Sequence, residues 1–287
     1  MASTELLPER SLPPRPRAPH AGPLAGRIEL LLELVRRDVK SRYRGSLLGV
    51  AWTLLNPLIF MIVYSVIFGK FLKVHYPGGS ATVFILSGLL AWTFFSQALT
   101  VATNSIVGNA ALVRKVAFPW MLLSVSSVVA ALINYAISLL LLIPFMLLAH
   151  KGIGLPILAV PLLVAVTFAL SLGLGLMLAA GNVYLRDLTY LVNLGTMIWF
   201  YITPIIYPWS LVQSKFAGHG LEGQAAQFVL YANPMTWVVL GFQDVFVFDR
   251  WPQHWHGLGY SLVVSLLSIW LGLRVFRRLR RRFAEEV

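Results

Sequence analysis

Residues 45–69 contain no charged side chain, and the five residues Arg36, Arg37, Lys40, Arg42 and Arg44 stand just before them. As a helix, 25 residues at 1.5 Å each exceed the roughly 30 Å of a hydrocarbon core. The run therefore reads as a transmembrane helix (47–71) with its basic end in the cytoplasm. Upstream, Ile28, Leu31, Leu32, Val35 and Val39 recur at three- and four-residue spacing, with Arg36, Arg37 and Lys40 on the other side. That pattern predicts an amphipathic interface helix over 27–44, with Arg36, Arg37, Lys40, Arg42 and Arg44 directed at lipid phosphates.

The rest of the chain has the same character. Hydrophobic residues make up 58% and charged residues 12%, against about 25% charged in an ordinary soluble domain. The net charge of +12 comes mostly from the two ends, where positive residues orient membrane proteins, and no groove-reading module accompanies it. Nucleic acid is not the expected partner. With no cysteine in the chain, disulfides, thiolate metal sites and a cysteine nucleophile are excluded.

Six prolines among residues 1–26 predict a disordered cytoplasmic tail. Further apolar spans follow at 82–107, 119–149, 155–183, 188–207 and 255–273, with Pro144 expected to kink the third and Gly173, Gly175, Ala179 and Ala180 to bring the fourth close to a neighbour. Gly173-x-Gly175 lacks the strand and phosphate loop of a nucleotide fingerprint. Residues 228–248 are apolar but broken at Asn233-Pro234. Parity decides how they lie. If they crossed, the six arginines from Arg274 to Arg282 would be outside; if they dip in and return, 18 of the 23 Lys and Arg are cytoplasmic. The expected fold is an all-α membrane protein: six transmembrane helices, an N-terminal interface helix, and a re-entrant periplasmic hairpin before the last helix. A broken backbone at membrane depth needs protein or water around it, so Asn233 and Pro234 are candidates for an outer gate.

Chemistry is sparse. There is no Walker loop, no His-Glu-x-x-His and no Gly-x-Ser-x-Gly. His254 and His256 offer two metal ligands on a loop, which reads as solvated side chains and no metal site. The spans hold no ionisable group beyond Asp187 and Asp244 near their boundaries, so no ion relay is built in. A chain that moves a solute without its own nucleotide or ion site must draw on a partner. The cytoplasmic pieces able to receive that energy are the interface helix, the Arg114-Lys115 tip of residues 109–118, and the Arg186-Asp187 turn.

These residues resemble a known family. Arg42-Tyr43-Arg44-Gly45-Ser46-Leu47-Leu48-Gly49-Val50-Ala51-Trp52-Thr53-Leu54-Leu55-Asn56-Pro57, then Tyr184-Leu185-Arg186-Asp187, Thr203-Pro204-Ile205-Ile206-Tyr207 and Asn233-Pro234, are similar in order and kind to type-2 ABC transporter permeases that export lipid-linked polysaccharides: O-antigen, teichoic acid or capsule. The resemblance covers residues 27–282 and leaves the proline-rich tail aside. It implies a non-catalytic, cofactor-free permease of the inner membrane, a homodimer with a channel between protomers, both termini cytoplasmic, and two copies of a separate ABC ATP-binding subunit. Arg114 and Lys115 would match the coupling helix and Arg186-Asp187 a second contact. A drug or small-lipid exporter of the same superfamily is the nearest alternative.

A polymer path needs surfaces that exclude lipid yet release each sugar. Aromatic faces do so through many weak contacts. Phe60, Tyr64 and Phe68 fall four apart on the first span, and Trp199, Phe200 and Tyr201 end the fifth; these six are the expected channel residues.

Overall fold

The computed structural model describes residues 23–43, 49, 51–115, 119–152, 154–216, 220–280 and 283. The expected tail lies outside them up to residue 22, as does Arg44. Among the described residues all regular structure is helical.

Helix α1 (Pro23–Tyr43) begins earlier than the periodicity predicted, with Pro23 at its first position, where a missing N–H costs nothing. Its apolar residues do not share one face. Leu34 and Val35 are buried, while Ile28 and Leu32 stay 58% and 62% exposed. A polar seam explains the rotation. Asp38 accepts hydrogen bonds from Ser126 (3.1 Å) and Ser127 (3.3 Å) of α5 (Met121–Leu139). Arg37 closes the seam on Asp38 (3.1 Å) and Asn109 (2.9 Å). Arg37 thus has protein partners while its side chain stays 41% exposed; Arg36 and Lys40 are exposed as well.

Helix α2 (Ala51–Tyr64) passes into a π-helical segment, Ser65–Phe71, and the two form one apolar length, Leu54–Phe71. Helix α3 (Ala81–Asn104), N-capped by Ser80 accepting from the Val83 N–H, runs through the middle of the bundle. It packs on α2, α5, α7 (Val160–Tyr184), α8 (Leu188–Ile202) and α11 (Pro234–Phe248). Between α3 and α5 lies the short α4 (Ala110–Lys115).

The third apolar stretch is interrupted where Pro144 predicted. Helix α5 stops at Leu139 and α6 (Leu142–Leu148) resumes. Pro144 has no N–H to give the Leu140 carbonyl, which instead accepts from Ile143 in a tightened turn. Helices α7 and α12 (Trp255–Leu279) make the largest contact in the molecule. A side chain on Gly173 would collide with the Ser268–Ile269 backbone, and one on Gly272 with the Gly173 carbonyl. The backbones touch because both positions lack a Cβ.

The stretch expected to cross at 188–207 is helical only to Ile202. Thr203 is extended (φ −90, ψ 135), as a residue before proline prefers. At 15 residues α8 is shorter than the five span-length apolar helices, Leu54–Phe71, Ala81–Asn104, Met121–Leu148, Leu155–Tyr184 and Trp255–Leu279. Those five make this a multi-pass membrane protein. Beyond α8 come α9 (Trp209–Phe216), α10 (Gly220–Ala232) and α11. The α10–α11 break falls at Asn233, and α11 is buried from Pro234 to Val247, so protein encloses the interruption.

Candidate functional site

The four-residue spacing on α2 stacks its rings in a row. Phe60 and Tyr64 lie 6.1 Å apart and nearly parallel (19°), and Tyr64 and Phe68 are 6.3 Å apart. Tyr64 then stacks on Phe200 of α8 at 5.8 Å, and Phe200 meets Tyr201 edge to face at 5.2 Å. Trp199 joins from behind, 5.1 Å from Phe95 and 6.2 Å from Trp92, which is itself 5.9 Å from Phe200. All six rings singled out from sequence belong to one network. Trp92 and Phe95 of α3 complete it, and sequence reasoning passed over both.

Their exposures divide the work. Phe60 (49%) and Tyr201 (54%) present open ring faces, whereas Phe200 (8%) is a buried backing. Ile59, Ile62 and Val63 of α2, Ile67 of the π-helical segment, and Leu191, Leu194, Met197 and Ile198 of α8 are exposed as well. Trp199 turns inward: its Nε1 donates to Asn233 Oδ1 at 2.8 Å. Asn233 Nδ2 donates to Thr203 Oγ1 (2.9 Å), and its Oδ1 also accepts from the Met235 N–H (3.0 Å), capping α11. Pro234 takes the first position of that helix. The ring network and the expected gate residues are thus joined by a direct hydrogen bond. Nearby, in the turn before α3, Tyr76 donates to the Ile206 carbonyl at 2.7 Å, and burial pushes its hydroxyl up to about 12.

At the other end, α4 stops at Lys115, so Arg114 and Lys115 occupy the tip of a six-residue helix; their side chains lie outside the described residues. Arg186 and Asp187 are exposed in the turn between α7 and α8. The Asp187 carbonyl starts α8 by accepting from Tyr190 and Leu191. Thr189 fixes this turn to the bundle by donating to Asn104 (2.9 Å) and Asn182 (3.2 Å), while Tyr184 donates to the Leu279 carbonyl (2.7 Å). Arg42, at the end of α1, lines a cavity beside Phe60.

Near the C-terminal end of α11, Asp244 is buried and paired with Arg250 at 2.6 Å, with the Gln253 N–H as a second donor at 2.9 Å. His254 packs 5.6 Å from Trp237.

The sequence pattern of the ABC-2 type transporter family matches residues 29–247. The O-antigen export system permease protein RfbA of Myxococcus xanthus is 33% identical over 262 residues, covering 90% of this chain and 95% of that protein. A protein of the same description from Klebsiella pneumoniae is 28% identical, covering 90% and 94%. The polysialic acid transport protein KpsM of Escherichia coli is 22% identical, covering 85% and 91%.

Proposed function

The chain belongs to the ABC-2 type transporter family, and on that premise we propose that it is the permease through which a lipid-linked, O-antigen-like polysaccharide leaves the cytoplasm. Two copies pair across the exposed faces of α2 and α8, and a channel runs between them. Residues 27–287 form the transmembrane domain, with both ends cytoplasmic in the inner membrane. Helix α8 crosses as a sixth, short span continued by the extended Thr203-Pro204 segment, and 228–248 dips in from outside and returns. Arg114, Lys115, Arg186 and Asp187 take the push of a separate ATP-binding subunit, one on each protomer. The observation that carries the reading is the ring network: Phe60 and Tyr201 open onto an otherwise aliphatic, unpartnered surface, a lining suited to sliding sugars.

Deleting the gene should remove the polymer from the cell surface and leave carrier-linked polymer inside, with plasmid-borne chain restoring export. Altered drug sensitivity with intact surface polymer would instead favour the drug-exporter alternative. In the same assay a Tyr64→Ala, Trp199→Ala double variant should insert and co-purify with the ATP-binding subunit but export severalfold less. Lys115→Glu with Asp187→Lys should lose polymer-stimulated ATPase. Labelling of Arg278→Cys in intact cells by an impermeant reagent would overturn the topology.

A further inference from the structure

Helix α12 has two faces that do not mix. Leu258, Ser261, Ser265, Ser268, Gly272 and Phe276 are buried, at the three- and four-residue spacing of a single helical stripe. On the opposite side Val263, Leu266, Leu267 and Trp270 are 48–55% exposed. At 100° per residue, Arg274, Arg277 and Arg278 fall within about 80° of Trp270 around the axis. All three are exposed. One outward stripe of α12 therefore changes from apolar to cationic within a single turn, at Trp270 and Arg274.

The arginines of that stripe are held but not paired. Among the described residues none of the three has an acidic partner. Arg274 is nonetheless fixed, because its guanidinium lies 3.9 Å from the centre of the Trp270 ring. Stacking occupies one flat face of the cation and leaves its N–H edge free to donate. Since Trp270 is one turn back, the stack draws the charge towards the apolar length. Orienting a membrane helix needs positive charge near its end, but neither this stack nor this phase.

We infer that the Trp270–Arg278 end of α12 is a binding site for an anionic phospholipid of the surrounding bilayer. An acyl chain lies along Val263, Leu266 and Leu267, the Trp270 ring sits at the headgroup boundary, and the free edge of Arg274 takes the phosphate beside Arg277 and Arg278. Charge selects the occupant. Three cations without a countercharge favour a lipid of net negative charge over one whose phosphate is balanced by its own ammonium group. Glu285 and Glu286 follow in the sequence, but they are two acids against six arginines from Arg274 to Arg282. Helix α12 packs chiefly on α7 and α11, so the site stands apart from the rings of α2 and α8, whatever solute the chain carries.

Trp270 is its own reporter. The purified full chain is placed in phosphatidylcholine vesicles, and brominated phosphatidylglycerol or brominated phosphatidylcholine is titrated in; the signal is the quenching that Trp270→Phe removes. Phosphatidylglycerol should associate at least about fivefold more strongly than phosphatidylcholine, the worth of one arginine at an anionic surface. Arg274→Gln should cut that ratio severalfold, and Arg274→Gln with Arg277→Gln and Arg278→Gln should bring it to about one. Arg274→Lys keeps the charge but loses the stacked fork, and should forfeit at least about half of the preference. Lys70→Gln with Lys73→Gln removes two exposed charges elsewhere and should change nothing. Equal quenching by the two lipids would overturn the site and leave the arginines to a protein partner. A triple variant that keeps the preference, an Arg274→Lys chain that keeps all of it, or a loss on changing Lys70 and Lys73 would overturn it too, since each reduces the effect to a diffuse field. Quenching is read without export or the ATP-binding subunit, so failure here leaves the exporter reading untouched.

Discussion

Two apolar lengths of similar mean hydropathy, 1.8 for Leu54–Phe71 and 1.6 for Ala81–Asn104, have opposite surroundings: over their apolar 18-residue stretches 11% of the first is buried and 78% of the second. In water such a difference would show as a difference in composition. In lipid it does not, because an acyl chain is as apolar as leucine, so hydropathy records insertion and says nothing of the neighbour. What separates α2 from α3 is finer. Helix α3 carries Ser87, Gly88 and Ala91 among its large residues, which lets five helices approach it, whereas α2 presents Ile59, Ile62 and Val63 outward and keeps its rings in one row. Helix α3 is a packed interior, held against the α7–α12 pair; α2 and α8 keep exposed apolar faces.

The largest effect that could break this division is steric. Gly173→Leu drives a side chain into the α12 backbone, so the folded chain should be lost, seen as the absence of a monodisperse peak in detergent chromatography. Gly195→Leu on α8 meets open space and should leave that peak intact. Equal damage from both would end the distinction. Next comes cavity formation. Phe95→Ala empties a fully buried position and should lower thermal stability by about 2–3 kcal/mol, under the roughly 3–5 of soluble cores because little transfer from water is lost. Ile62→Ala should change it by less than about 0.5 kcal/mol. A cysteine at Ile62 should cross-link to its copy in membranes where one at Leu266, on the exposed face of α12, does not; no cross-link at either would leave α2 facing lipid.

A smaller effect tests the junction between α8 and α11. Asn233→Ala removes a helix cap and the partners of Trp199 and Thr203, about 1–3 kcal/mol, with a change in tryptophan emission that Phe95→Ala does not predict. Smallest at neutral pH is Tyr76. Its folded pKa of about 12 exceeds the unfolded value of about 10, so its contribution is complete below about pH 10 and declines as pH rises towards about 12. Melting followed from pH 9 to 12 should show this decline, and Tyr76→Phe should flatten it.

Much of this was legible along the chain. Charge-free lengths gave the helices, Pro144 its break, and Asn233-Pro234 the start of a capped helix, because each signal acts within a few residues. The rest depends on residues far apart in sequence. Trp92 and Phe95 went unnoticed because α3 is apolar all round and no periodicity marks one face. The Asp38 seam joins residues 88 and 89 positions apart, and it turned α1 so that Ile28 and Leu32 face outward. The shortening of α8 was in principle visible in Thr203-Pro204, but the apolar run continues to Tyr207 and masked it.

The Asn233 side chain fixes three directions at once: towards the Trp199 indole, the Thr203 hydroxyl and the Met235 amide. The Met235 bond fixes the Asn233 side chain on its own helix, and the other two tie it to the last turn and C-cap of α8, so the apex of the α10–α11 turn is a passenger of α8 and not an independent flap. Any tilt of α8 carries the apex with it, and slack has to be taken up where backbone is already extended, at Thr203-Pro204. Displacement of the Leu188 end of α8 and displacement of the α10–α11 turn are then a single coordinate, in which neither end moves first.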